Sequence, residues 1–293
     1  MKKPNTSNIY ALMAALSIFL SGCASTTVNT ATTVNTPPKP AIKAAEPYIE
    51  NGIDKSIFAK SQEERVQFII LHYTAIDQPT SLRALSEQGV SAHYLVGDED
   101  PIKVWQLVPE NRMSYHAGLS EWKGYSRLNA SSIGIEIVNQ GFKDTPEGRI
   151  YFPFPQVQID RVITLVKDIS ARYQIRPEYI LGHSDIAPQR KSDPGPMFPW
   201  KQLADAGLIP WPQPEEVAQR MTAFELQLPD VKWFQQKLAQ YGYGIPQSGV
   251  LDAATRSVLV AFQTKYRPAK FDGTPDAETA AMLDTLLANL KAK

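Results

Sequence analysis

Cysteine is nearly absent: Cys23 is the only one in 293 residues, so the chain can close no internal disulfide. Excess charge of either sign is missing too. Thirty Lys and Arg balance thirty Asp and Glu, and no Lys/Arg-rich run appears, which argues against a nucleic-acid partner. The apolar run from Ile9 to Leu20 is twelve residues, short of the ~20 needed to span a bilayer. Histidine is scarce. His72, His93, His116 and His183 are all there are, so a metal site has few donors to draw on. With 43% hydrophobic and 20% charged residues, what remains is an ordinary globular balance with material for a core.

The first residues read as an export signal. Lys2 and Lys3 form a positive start, Ile9 to Leu20 an apolar centre, and Leu20-Ser21-Gly22-Cys23 resembles the lipobox of bacterial lipoproteins. That resemblance implies a signal peptide over residues 1–22, cleavage before Cys23 and lipidation of its sulfur and new amino group. Ala24 and Ser25, with no Asp after the cysteine, favour the periplasmic face of the outer membrane. Residues 23–45 then read as a lipidated tether: Thr26-Thr27-Val28-Asn29-Thr30 recurs as Thr32-Thr33-Val34-Asn35-Thr36, followed by Pro37-Pro38-Lys39-Pro40. Such a tract cannot bury enough apolar area to order itself.

From residue 46 to 209 strand and helix signals interleave. Val66 to Leu71, His93 to Val96, Lys103 to Val108, Ile133 to Val138 and Tyr179 to Leu181 are short and β-branched or aromatic. Thr80 to Gln88 and residues ~156–174 carry helical signals, the latter with Ile159, Val162, Ile163, Val166, Ile169 and Tyr173 on one face. The fold class expected is α/β, a mixed central sheet flanked by helices. Pro210, Pro212 and Pro214 mark a break. Beyond it, over residues 215–293, Val231 to Tyr241, Ala253 to Tyr266 and Ala277 to Leu290 read as three helices. A Gly-x-x-Asp-Ala-x-Thr loop occurs twice, at Gly249 and at Gly273, with Asp252 and Asp276 as N-caps.

His72 closes the apolar run Phe68-Ile69-Ile70-Leu71, and His183 follows Tyr179-Ile180-Leu181-Gly182. Both therefore sit at strand ends, where a sheet aims side chains rigidly. A catalytic zinc takes three protein ligands and leaves a fourth position for water. Two strand-end histidines do not by themselves establish such a site. Asp193 precedes Pro194-Gly195, a turn position that favours Asp in any protein. Alternation along Ile133 to Val138 puts Glu136 on the face opposite Ile133, Ile135 and Ile137.

The flanking residues add more. His72-Tyr73-Thr74, Ser91-Ala92-His93-Tyr94, His116-Ala117-Gly118, Ile133-Gly134-Ile135-Glu136, Gly182-His183-Ser184-Asp185 and Lys191-Ser192-Asp193-Pro194-Gly195 occur in that order. The series resembles the type-2 N-acetylmuramoyl-L-alanine amidases, and the lipobox and C-terminal module point to their AmpD/AmiD-like lipoprotein branch. The likeness covers about residues 60–208. It implies one zinc per chain on His72, His183 and Asp193, with Glu136 as general base and Lys191 as the cation that stabilises the transition state. It also implies His116 lining the substrate groove, with Tyr73 and Thr74 as further substrate contacts. The activity implied is hydrolysis of the amide between the lactyl group of N-acetylmuramic acid and L-alanine, in peptidoglycan or muropeptides.

Phe234-Gln235-Gln236-Lys237-Leu238, Gly249, Thr255, Phe262-Gln263, Asp272-Gly273 and Thr279 resemble a three-helix peptidoglycan-binding domain. A non-catalytic, wall-recognising lipoprotein is the alternative. His93 reads as structural, while Trp105 and Trp122 are left open between stacking on sugar and packing.

Overall fold

The computed structural model describes residues 49–62 and 64–291. The expected signal peptide, Cys23 and the expected tether lie outside the described residues. The described residues up to Lys60 and those from Ser61 onward are two units. In the first, strands β1 (Ile49–Glu50) and β2 (Ile53–Asp54) form an antiparallel hairpin. Its turn residues Asn51 and Gly52 both take positive φ, 54° and 79°, as an Asn-Gly hairpin turn requires.

The second unit is built on a five-stranded sheet. In chain order its strands are β3 (Phe68–Tyr73), β4 (Tyr94–Val96), β5 (Val104–Gln106), β8 (Ser132–Ile137) and β11 (Ile180–Gly182). They lie side by side as β11-β3-β8-β4-β5, parallel except for β5, so the expected mixed sheet is present. Strand β3 is buried along nearly its whole length, as its unbroken apolar sequence requires for a central parallel strand. Helices α1 (Gln78–Glu87) and α2 (Gln156–Tyr173) match the two helical patterns, and α2 lays Ile159, Val162, Val166 and Ile169 into the core. Two hairpins are additional to the expected strands: β6 (Glu121–Trp122) with β7 (Tyr125–Ser126), and β9 (Phe142–Thr145) with β10 (Gly148–Tyr151). After β11 come the one-turn α3 (His183–Ile186) and the short α4 (Trp200–Asp205).

The C-terminal part has helices α6 (Val231–Tyr241), α7 (Ala253–Tyr266) and α8 (Ala277–Lys291), close to the expected spans. A further helix, α5 (Pro214–Leu226), packs on α8 and is held there by Arg220 to Asp284 and Asn289 to Glu216. The proline break thus also starts a helix, because Pro214 stands in its first turn, where a missing N–H does no harm.

The repeated loop motif has a structural purpose. Gln235, fully buried, donates to the Thr255 hydroxyl (2.8 Å) and accepts from the Gly249 amide (2.7 Å). Gln263 does the same with Thr279 (3.0 Å) and Gly273 (2.8 Å). Asp252 and Asp276 cap the following helices by accepting from the amides of Thr255 and Thr279 at 2.7 and 2.9 Å. Each repeat is therefore a glutamine-centred loop that satisfies its own buried backbone.

One hydrophobic core runs through both the sheet region and the C-terminal helices. Trp122 packs beneath Tyr241 and Tyr243, and its indole N–H donates to the Glu178 carbonyl. That settles Trp122 as a packing residue. Trp105 packs beside a small cluster of Leu85, Ala92, Leu95 and Val138. Among the described residues no helix is long and apolar enough to cross a membrane.

Candidate active site

Three donor atoms converge where the C-terminal ends of β3 and β11 meet the loop after α3. His72 Nδ1 lies 3.0 Å from His183 Nδ1 and 3.0 Å from Asp193 Oδ2, and the last two are 3.2 Å apart. A tetrahedron with bonds of ~2.0–2.1 Å has edges of about 3.3 Å, so this triangle fits one face of a zinc site. Two neutral nitrogens and a carboxylate oxygen are also the donor chemistry zinc accepts. All three residues are buried.

The surrounding hydrogen bonds determine which ring nitrogens carry protons. The Ser132 hydroxyl donates to the Leu128 carbonyl at 2.5 Å, so its oxygen accepts a hydrogen bond from His116 Nε2–H at 3.0 Å. His116 Nδ1 is then an acceptor, and His72 Nε2–H donates to it at 3.0 Å. This leaves the lone pair of His72 Nδ1 facing the triangle. His183 Nε2–H likewise donates to the Ala117 carbonyl at 3.2 Å and frees its Nδ1. Outer partners that fix the tautomer of a ligand histidine are what a metal site needs.

Electrostatics agree with this assignment. Burial, then the neighbouring His183, pushes the His72 pKa down to about 4, so the ring is neutral at pH 7. Burial, then the imidazoles of His72, His93 and His183, holds His116 far below the ordinary histidine value. For Asp193 burial acts upwards, but the contacts with His183 and His72 outweigh it and keep the carboxyl ionised.

Glu136 stands beside the triangle because strands β3 and β8 are parallel and in register, with His72 opposite Glu136. Its Oε2 is cut off from solvent and has no hydrogen-bond partner among the described residues. Burial, then the Asp193 charge, raises its pKa well above the carboxylate range, with Lys191 acting the other way. A cation held by the triangle would oppose the rise. An orphaned carboxylate oxygen in such a place calls for a proton or a ligand.

The cleft over these groups has a volume of about 240 Å³. Its walls include Tyr73, Thr74, Val90, Tyr115, His116 and Lys191. Lys191 is exposed and also borders a neighbouring groove of about 350 Å³, whose far wall is α7 with Arg256 and Val260. Tyr73 is gripped between Gly141 and Gly195, where an added Cβ would approach its ring to 3.0 and 3.2 Å. The Thr74 hydroxyl donates locally to Ile76. His116 borders the cleft as expected, yet both its ring nitrogens are engaged by His72 and Ser132. It backs His72, one of the three candidate ligands. His93 lies outside this set: Nε2–H donates to the Arg112 carbonyl, while Nδ1 accepts from the Gly134 amide.

Two residues here carry little sequence signal and a third carries a readable one. Ser132 and Tyr115 are ordinary members of their segments. Gly134 has a readable mark, a glycine inside a strand, which signals close approach. An added Cβ there would sit 2.4 Å from the His116 ring.

Comparison with known proteins gives a consistent picture. Residues 62–196 match the N-acetylmuramoyl-L-alanine amidase family and residues 227–283 a peptidoglycan binding domain family. The chain is 42% identical to the N-acetylmuramoyl-L-alanine amidase AmiD of Escherichia coli over 235 residues, 78% of this chain and 85% of that protein. A structure of the E. coli AmiD complex with anhydro-N-acetylmuramic acid-L-Ala-D-gamma-Glu-L-Lys superposes with a TM-score of 0.75 at 40% identity, covering 81% of this chain and 94% of that one. AmpDh3 of Pseudomonas aeruginosa, in complex with anhydromuramic pentapeptide, gives 0.75 at 38% identity, covering 80% and 96%. With the donor triangle, the orphaned glutamate and these likenesses together, the chain belongs to the N-acetylmuramoyl-L-alanine amidase family.

Proposed function

We propose that the protein is a zinc hydrolase that cleaves the amide between the lactyl group of N-acetylmuramic acid and L-alanine in peptidoglycan or muropeptides, while anchored by a lipid on Cys23 at the periplasmic face of the outer membrane. The observation that carries the enzymatic reading is the triangle of His72, His183 and Asp193 with the unpartnered Glu136 Oε2 beside it. The muropeptide bound in the related AmiD complex joins anhydro-N-acetylmuramic acid to L-alanine, the linkage in question.

His72, His183 and Asp193 would hold the metal, which when bound supplies a Lewis acid that polarises water and carbonyl oxygen. Glu136 takes the proton of the attacking water on Oε2 and returns it to the departing amine. Lys191 brings positive charge to the cleft wall where the carbonyl oxygen becomes negative. His116 and Ser132 hold the His72 ring in place throughout, and Tyr73 and Thr74 border the path of the substrate. Lys191 and Glu136 interact electrostatically even without substrate, so the base sits within the field of the cation.

The anchor rests on Leu20-Ser21-Gly22-Cys23 and the repeat-rich tract after it. Several buried acyl chains hold a protein far more firmly than one.

Mass spectrometry of purified wall and of defined muropeptides tests the reaction. The expected products are free stem peptides beginning at L-alanine and glycan with an intact lactyl group, and a chelator should stop their release. Asp193→Ala should lose both metal and activity. Release of other products, or full activity in chelator, refutes the reading.

A further inference from the structure

The ligand His183 begins the one-turn helix α3, and two residues on lies Asp185, 1% exposed. Its carboxylate has three donors. Oδ2 accepts from the Gly182 amide at 2.8 Å, which fixes the backbone immediately before His183. The other two donors come from the C-terminal module: Lys265 Nζ on α7 at 2.8 Å to Oδ2, and the Tyr243 hydroxyl after α6 at 2.7 Å to Oδ1.

Lys265 is as deeply buried as its partner, 4% exposed in its side chain. It lies 4.3 Å from the centre of the Trp200 ring and is the one cation paired with Asp185 among the described residues. Tyr243 is also buried, and its ring meets Trp122 edge-on at 4.9 Å. The same knot reaches the third ligand. The Ser184 amide donates to the Asp193 carbonyl at 2.9 Å, and Pro194 fills the place a Gly182 side chain would take.

We infer that the C-terminal module is part of the active-site scaffold: Lys265 and Tyr243 are positioning residues that, through Asp185, hold His183 and Asp193 in ligand geometry. A buried carboxylate bonded only to one backbone amide is strongly unfavourable, and in this chain the other two donors of Asp185 come from the C-terminal module. Removing the cation forces Asp185 outward, and the turn that carries His183 goes with it. The role is distinct from wall binding. It rests on the reading of the triangle as a metal site.

The test uses the full chain, with zinc affinity measured by chelator competition and kcat and KM determined separately on one muropeptide. Lys265→Met should weaken zinc about 10–100-fold, the usual effect of losing an outer partner, and lower kcat with little change in KM. Asp185→Asn combined with Lys265→Met removes both charges and should recover much of that loss. Arg220→Met, which breaks the half-exposed pair with Asp284 on the far helices, should leave zinc affinity unchanged. If Lys265→Met does not fold, Tyr243→Phe removes a single hydrogen bond and should still weaken zinc several-fold. A folded Lys265→Met or Tyr243→Phe with wild-type zinc affinity and kcat overturns the inference. Wild-type protein that binds no zinc refutes the metal reading instead, and the kcat of Lys265→Met then still decides the scaffold role.

Discussion

His72 and Glu136 face each other across adjacent parallel strands, in the same rung of the β3–β8 ladder. A candidate ligand and the proposed proton acceptor are thereby fixed by backbone pairing, not by loop conformation. Rigid elements place reacting groups more tightly than loops do. Glu136→Gln keeps the shape of the side chain and removes its ability to take a proton. Turnover should fall by ~10²–10⁴-fold while metal content and muropeptide binding persist. Near-normal turnover with normal metal would assign the proton transfer to another group.

Lys191 differs in kind from the three candidate ligands. It is exposed on the cleft wall, and the role proposed for it is carried by charge. Lys191→Ala should keep the metal and lower kcat by ~10²–10³-fold, the range for losing one transition-state donor. An effect confined to KM would make Lys191 a substrate anchor only.

How far the sequence carried the fold depends on where each signal resides. Helices α6 and α7 follow from apolar periodicity, and α7 also from its Asp252 cap, and their observed spans coincide with the expected ones. The meeting of His72, His183 and Asp193 in one donor triangle was legible through their flanking motifs, which local spacing alone would not have distinguished from structural histidines and a turn. Helix α5 was hidden because its leading prolines read as a break. The junction through Asp185, Lys265 and Tyr243 was hidden for a different reason. A buried lysine and a surface lysine look alike in sequence, and Asp185 lies 80 residues from its partner. Only the folded chain shows that the two modules share a core.

Away from the cleft, Glu110 makes the structure sensitive to acid. Its carboxylate accepts from Arg172 at 2.5 and 2.7 Å, Tyr94 at 2.6 Å and Tyr173 at 3.0 Å. The Arg172 contacts dominate burial and hold its pKa at about 2, below the ordinary 4.5. A depressed folded-state pKa stabilises above the unfolded value and is lost as pH falls through the folded one. Arg172 is 41% exposed, so solvent screening limits the contribution to about 1 kcal/mol. Glu110→Gln should lower Tm at pH 7, and the gap from wild type should close as pH drops from 4.5 towards 2. A gap that stays constant over that range would show that charge is not the cause.

The lipid anchor has its own test. Wild-type protein should fractionate with outer membrane, and Cys23→Ser should not, because a serine hydroxyl cannot form the thioether. Equal partition of the two would remove the anchor from the proposed function.

Gly134 gives a test of the support behind the ligands. It lies in β8 two residues before Glu136, and its missing side chain makes room for the His116 ring. A Cβ at this position would lie 2.4 to 2.6 Å from three atoms of that ring. The ring is rigid and buried, so in Gly134→Ala the whole of His116 must move. Overpacking of this sort typically destabilises by ~1–3 kcal/mol. The movement also breaks the bond from His72 Nε2–H, which releases the His72 ring from its tautomer and orientation. Zinc affinity should therefore drop by ~10–100-fold, the scale for losing an outer partner of a ligand. Ser132→Ala supplies the matching control from the other side of His116, since it removes the acceptor without adding an atom. It should weaken zinc in the same direction with a smaller fall in Tm. If Gly134→Ala loses stability but binds zinc like wild type, His116 does not govern the ligand geometry, and the chain from Ser132 to His72 is packing alone.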